Sequence, residues 1–259
     1  MDKKLYSYLF GLFGTDGNVK RTLDNNHINS LVLEVIDQDI VEKIANILPD
    51  CSTSERTRDT NFKKDYHSYI LYCHNKEFLE WCEKNEFPLQ DKTNMINIPK
   101  EYEERDFWRG VIDGDGSLGM KTVEEQPFIN LTTKSDFLKE AYCDFIYKIT
   151  DFRPKCNRNK RDNIYNITLH GEKAIKILKA IYEDAEIYIN RKYDVYLSLL
   201  SWKKKERKGI IKKLWSLEEE KDLLSLSQED FITKYPNRTL VAIKAKRNKL
   251  KGGGANVNK

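Results

Sequence analysis

The stretch Gly11-Leu12-Phe13-Gly14-Thr15-Asp16-Gly17 recurs 99 residues later as Gly110-Val111-Ile112-Asp113-Gly114-Asp115-Gly116. In both copies a helical apolar pattern ends in an acid followed by glycine, a combination suited to stopping a helix. The downstream order repeats as well. After the first copy come alternating or β-branched stretches (Val19 to Leu23, Ser30 to Ile36) and an amphipathic helix over about 38–48, with Ile40, Val41, Ile44, Ile47 and Leu48 on one side. Two strands near 52–58 and 66–73 and a helix over 76–85 complete the unit. After the second copy come strands near 117–123 and 127–133, a helix over 135–149, strands near 153–160 and 164–169, and a helix over 172–184. The simplest description is an α+β fold of two tandem αββαββα repeats with pseudo-twofold symmetry, one over 1–100 and one over 101–202.

Gly11 and Gly14 share a helix face, and Gly110 occupies the place equivalent to Gly11. Small residues there let two helices approach closely, which brings Asp16 and Asp115 together at adjoining C-termini. A carboxylate at a helix C-terminus is unfavourable by roughly 0.3–1 kcal/mol, because the dipole is negative there. Two facing carboxylates repel each other besides. A divalent cation reverses both penalties, and hard oxygen donors favour Mg²⁺ over zinc. Such a site can polarise phosphates and activate water.

Composition narrows the setting. The 259 residues carry 45 Lys+Arg against 41 Asp+Glu, and 39% are hydrophobic, which is enough to fill a core. No apolar run approaches the roughly 18 residues of a membrane span. The N-terminal apolar stretch runs into a Gly/Asp turn without a small-residue cleavage site, so it reads as a folded helix and not a targeting segment. Five cysteines, odd in number and without C-x-x-C spacing, support neither a disulfide framework nor a zinc site and point to a reducing interior. The net charge of +4 divides into −5 over residues 1–200 and +9 over 201–259. The tail alone suits a polyanion.

Residues 203–213, KKKERKGIIKK, read as a basic linker to an all-helical segment over 214–251, and 252–259 as a flexible tail. Ser216 ahead of Glu218, Glu219 and Glu220 suits a helix start. Ser227 opens a second short helix and Pro236-Asn237 ends it. The last helix, about 238–250, has no acid, and Ile243 and Leu250 can face a small core.

The paired motif resembles the LAGLIDADG homing endonuclease family in its single-chain, two-repeat form, with the motif on Leu9 to Gly17 and Trp108 to Gly116 and its essential acid on Asp16 and Asp115. Gly14 stands where Asp113 supplies the frequent acid two residues earlier, which leaves the essential acid intact. The resemblance implies that Thr15 and Gly114 offer backbone carbonyls to the metal, Mg²⁺ or Mn²⁺, with Ca²⁺ as a non-catalytic substitute. It also implies a lysine after the last helix of each repeat, met by Lys92 and Lys192, which lie 76 and 77 residues beyond their acids. Arg191 is a candidate helper. The implied activity is a monomeric, site-specific double-strand DNA endonuclease, cutting a long asymmetric target across the minor groove to leave short 3′ overhangs. The implied setting is an intron-encoded or free-standing gene, acting in the cytoplasm or nucleoid of a bacterial or phage-infected host.

The resemblance further implies that the strands form a saddle on the DNA. Arg56 and Arg58 share one strand face, as do Arg153 and Lys155, with Arg158, Lys160 and Arg161 beyond; Asn18, Lys20 and Thr22 share a face, as do Ser117 and Lys121. Such side chains read guanine and adenine edges. The tail resembles a Myb/SANT-type helix-turn-helix, in its opening Trp215 and the Arg238-Thr239 before the last helix. It adds Arg238, Lys244, Arg247 and Asn248 as DNA contacts. Other readings of the scaffold are an RNA maturase, with intron RNA as partner, and a DNA-binding regulator that does not cleave.

Overall fold

From Leu5 to Gly14 every residue is buried, and so is every residue from Asp106 to Asp113. Helices buried on all sides belong at the centre of a fold. These are α1 (Lys3–Thr15) and α5 (Glu104–Asp115) of a computed structural model, which describes residues 2–20, 27–59, 64–204 and 214–252. Thr22, most of the 203–213 linker and residues 253–259 lie outside the described residues, as does the side chain of Lys92. The chain divides into two compact units, Met1–Lys204 and Lys205–Lys259.

In the first unit α1 leads into β1 (Gly17–Lys20), β2 (Ser30–Val35), α2 (Gln38–Ile47), β3 (Cys51–Arg58), β4 (Tyr66–Cys73), α3 (Lys76–Lys84) and the short α4 (Lys92–Met95). The order then recurs: α5, β5 (Gly116–Lys121), β6 (Gln126–Thr133), α6 (Asp136–Thr150), β7 (Tyr165–His170), α7 (Glu172–Tyr182) and α8 (Asn190–Leu199). The strands form two antiparallel sheets, ordered β1-β2-β4-β3 and β5-β6-β7. One face of each sheet is apolar and packs on the core through Leu31, Leu33 and Leu71, and through Ile129, Leu131, Ile167 and Leu169. The alternation of strand side chains sends their neighbours to the opposite, open face.

The central helices meet backbone to backbone. A methyl group on Gly110 would overlap the Tyr8 carbonyl, and one on Gly11 would lie 2.5 Å from the Phe107 carbonyl oxygen. Around this contact the two halves differ. At Gly14 the space is taken by Ile96, whereas the equivalent Asp113 is buried and accepts hydrogen bonds from Tyr8 (2.8 Å), Tyr182 (2.5 Å) and the Ile189 amide (3.0 Å). Arg109, also buried, donates to the Ile181 and Ile187 carbonyls and pairs with Asp106.

Two expectations for the second repeat need correcting. The strand expected near 153–160 does not form; Pro154 has no amide to donate to a ladder, and the flanking arginines are held by acceptors outside the sheet. Arg153 pairs with Glu140 and Asp144 of α6, and Arg158 donates to the Lys134 and Asn163 carbonyls and to Asp136. Lys192 was expected after the last helix; it lies instead in the first turn of α8, a helix its sequence did not reveal.

The second unit consists of α9 (Leu217–Ser225), α10 (Gln228–Lys234) and α11 (Leu240–Gly252). Ser216 and Glu219 form a reciprocal capping box on α9, Ser227 caps α10, and Leu223, Phe231 and Ile243 make the core. Two residues expected to reach outward face inward. Arg238 bonds Glu219 through two nitrogens, with both side chains about 8% exposed, and lies over the Trp215 ring at 4.2 Å. Arg247 donates to the Leu223 and Leu226 carbonyls at the end of α9. Lys244 and Asn248 are exposed. Among the described residues no helix is long and apolar enough to cross a membrane.

These packings set two expected outcomes. Gly110→Ala should lower the unfolding free energy of the full chain by roughly 1–3 kcal/mol, the range for overpacking a dense core; an unchanged urea midpoint would show that the helices are not in backbone contact. Arg238→Ala should speed amide hydrogen exchange in α9 to α11 by about tenfold or more, since it removes the two-nitrogen ion pair on the nearly buried Glu219. Lys244→Ala should leave that exchange unchanged.

Candidate functional site

The glycine contact fixes where the two helices end. Asp16 caps α1, its amide still bonded to the Leu12 carbonyl at 3.0 Å, and Asp115 is the last residue of α5. Both side chains are exposed. The termini adjoin: a methyl group on Gly114 would overlap the Thr15 hydroxyl and lie 3.5 Å from the Asp16 carboxyl carbon. Thr15, Gly14 and Asp115 line one cavity of about 250 Å³, together with Thr93, Thr132 and Lys134. Each acid thus stands beside the other repeat's helix end. Thr93, Thr132 and Lys134 are additions, since a cavity lined from segments distant in sequence leaves no local pattern.

The negative end of α5 already attracts a cation. The Lys192 ammonium is buried and donates to the carbonyls of Ile112, Asp113 and Gly116 at 2.7 Å, with that of Gly114 at 3.2 Å. Burial lowers its pKa, against the attraction of Asp113 and Asp16. Burial likewise raises the pKa of Asp113, opposed by the hydrogen bond from Tyr182, the charge of Lys192 and the bonds from Tyr8 and Ile189. Lys192 therefore links the α5 terminus to the field of Asp16, the acid of the other repeat. Arg191 is engaged by Asp37 in a two-nitrogen ion pair at 2.9–3.0 Å.

Carboxylate and carbonyl oxygens form a donor set suited to a hard divalent cation. Among the described residues no group of three or more His, Cys, Asp or Glu is gathered as a metal cluster.

The open sheet faces differ in chemistry. In the first repeat the register aligns Asn18 with Val32 and Tyr72, and Arg56 and Arg58 with Ser68 and Tyr66. Lys20 lies over the Tyr72 ring at 4.8 Å. Glu34 on the same face receives Arg56 at 3.4 Å, Arg58 at 3.1 Å and the Ser68 hydroxyl at 2.8 Å. In the second repeat the open face carries Ser117, Lys121 and Gln126, and a chain in which Thr168 donates to Asn130, Asn130 to Thr132 and Thr132 to Asn166. Lys155, Lys160 and Arg161 are exposed outside the sheet, Arg161 paired with its neighbour Asp162.

No protein-family model matches the chain, and no curated protein matches it by sequence. Solved structures do match by fold. The homing endonuclease I-WcaI bound to its DNA recognition sequence is similar with a TM-score of 0.52 and 16% identity, over 75% of this chain and 86% of that one. Mesophilic variants of the homing endonuclease I-DmoI match with a TM-score of 0.48 and 15% identity over 74% and 97%. The N-terminal LAGLIDADG domain of DUF199/WhiA matches at 0.46 and 12% over 74% and 87%. The chain therefore shares the α+β fold of I-WcaI, and the likeness is one of fold.

Proposed function

We propose that the protein is a divalent-metal-dependent, site-specific DNA endonuclease that acts as a monomer. The observation that carries this reading is the pairing of Asp16 and Asp115 at the ends of two helices in backbone contact, beside two sheets with polar open faces. Asp16 and Asp115, with the Thr15 and Gly114 carbonyls, would hold Mg²⁺ or Mn²⁺, and Ca²⁺ would support binding without cutting. A cation bound there would neutralise charge on the phosphate and make water a better nucleophile.

The chain's own residues do the remainder. The backbone contact fixes the separation of the two acids, so that one acid serves each strand. Lys192 neutralises the end of α5 and positions the turn that carries Asp115. Lys92 is proposed for the equivalent task in the first repeat. The guanidinium and ammonium groups of Arg56, Arg58 and Lys20 suit phosphates and guanine edges, whereas Gln126, Asn130 and Asn166 suit adenine. Because the faces differ, the target is asymmetric. Lys244 and Asn248 on α11 give the tail a groove-facing surface of helix-turn-helix type, and its positive charge adds salt-sensitive affinity.

The test is cleavage of a randomised duplex library by the full chain, in Mg²⁺ and in EDTA. Cutting at a defined sequence in Mg²⁺ and none in EDTA is expected. Duplexes that are bound and never cut in Mg²⁺ would instead assign a regulatory role. Asp16→Asn and Asp115→Asn should each lower double-strand cutting by at least about 10³-fold, as expected for loss of several kcal/mol of charge stabilisation, while DNA binding persists. Lys192→Met should lower cutting and also destabilise the fold, because it leaves the α5 carbonyls without their donor.

A further inference from the structure

The two acids sit in unlike surroundings, and the difference traces to one position in each repeat. Between β6 and the Ser135 cap of α6 stands a single residue, Lys134; between β2 and the Asp37 cap of α2 the equivalent residue is Ile36. Lys134 is exposed and lines the cavity that holds Asp115, Thr15 and Thr93. Its backbone is fixed, since its carbonyl accepts from Arg158 at 2.8 Å. Among the described residues its ammonium makes no ion pair. Ile36 is 53% exposed and carries no charge, and the neighbouring Asp37 is engaged by Arg191. The second repeat thus places an ammonium at the rim of the Asp115 cavity, whereas the equivalent position of the first repeat, Ile36, offers none.

We infer that Lys134 contacts the scissile phosphate at the Asp115 site alone, and that the strand served by Asp115 is cut first. This rests on the endonuclease reading above. The hydrolysis is the same on both strands: a water oxygen bonds to phosphorus, one phosphorus–oxygen bond to the sugar breaks, and the leaving oxygen gains a proton. One water is consumed for each phosphate monoester and alcohol released. Negative charge builds on the non-bridging oxygens along the way, and the Lys134 ammonium at the cavity stabilises it. Ile36 offers no such stabilisation to the other strand.

The experiment labels each strand of a cleaved duplex with a different fluorophore and follows both under single turnover with Mg²⁺, using the full chain. The expected result is a nicked intermediate, with the strand lost in Asp115→Asn being the faster one. Lys134→Ala should slow that strand by about 10- to 100-fold, the worth of one charge-assisted hydrogen bond, and leave the other strand's rate unchanged. Lys134→Arg should retain the difference, and Ile36→Lys should speed the slower strand. Equal strand rates in the parent, or equal slowing of both strands by Lys134→Ala, would overturn the inference while the endonuclease reading stands. A bound duplex that is never cut would overturn the reading itself.

Discussion

The contact between the backbones of α1 and α5 is the constraint from which the site follows. Gly11 and Gly110 carry no Cβ where one would meet a main-chain atom of the other helix. Helices that approach this closely must end close together, and each ends in an aspartate. The chain therefore holds two carboxylates at two negative dipole ends, an arrangement that helix energetics disfavours and that only a cation relieves. Lys192 relieves it in part, by placing an ammonium on the α5 carbonyls. Both carboxylates are exposed at the adjoining helix ends.

A duplicated scaffold need not keep duplicated surroundings. The position two residues before each essential acid shows how the halves diverged. Gly14 admits Ile96 from the connection between repeats, so the first half closes with an apolar plug. Asp113 instead gathers Tyr8 from the opposite central helix, Tyr182 from α7 and the Ile189 amide that precedes α8. That network fixes the start of α8 and, within its first turn, Lys192. Buried polar groups so fully satisfied are costly to disturb and define one arrangement. The acid at this position is structural in the second repeat, and its absence from the first is compensated by packing.

Local signals in the sequence were sound guides, and signals that depend on distant partners were not. The repeated glycine-acid pattern, the Ser216 and Glu219 capping pair and the spacing of Ile243 and Leu250 act within a few residues, and each has its structural counterpart. The helix α8 stayed hidden because its inward positions are Lys192, Tyr196 and Leu199; a lysine at the first of them breaks the apolar stripe. The stretch 153–160 imitated a strand because Arg153 and Lys155 alternate, yet the partners of Arg153 lie on α6. Arg238 was indistinguishable from a DNA-facing arginine until Glu219 was brought beside it by the turn between helices. A charge reveals its task only through its partner, and these partners are remote in sequence.

The acidity of residues 1–200 has the same explanation. Several of their acids organise cations and are not a solvated exterior. Glu34 stands on the open face of the first sheet, where a carboxylate opposes a polyanion, and it holds Arg56, Arg58 and the Ser68 hydroxyl. Long guanidinium side chains lose rotamer freedom on binding, and a carboxylate that restrains them beforehand reduces that loss. Asp37 does the same for Arg191 at the junction of the repeats, and Asp136 for Arg158, whose grip on the Lys134 carbonyl fixes the turn at the Asp115 cavity. The net charge of −5 is thus compatible with a surface that presents ordered cations, because at these positions negative charge lies beneath or beside positive charge and sets its geometry.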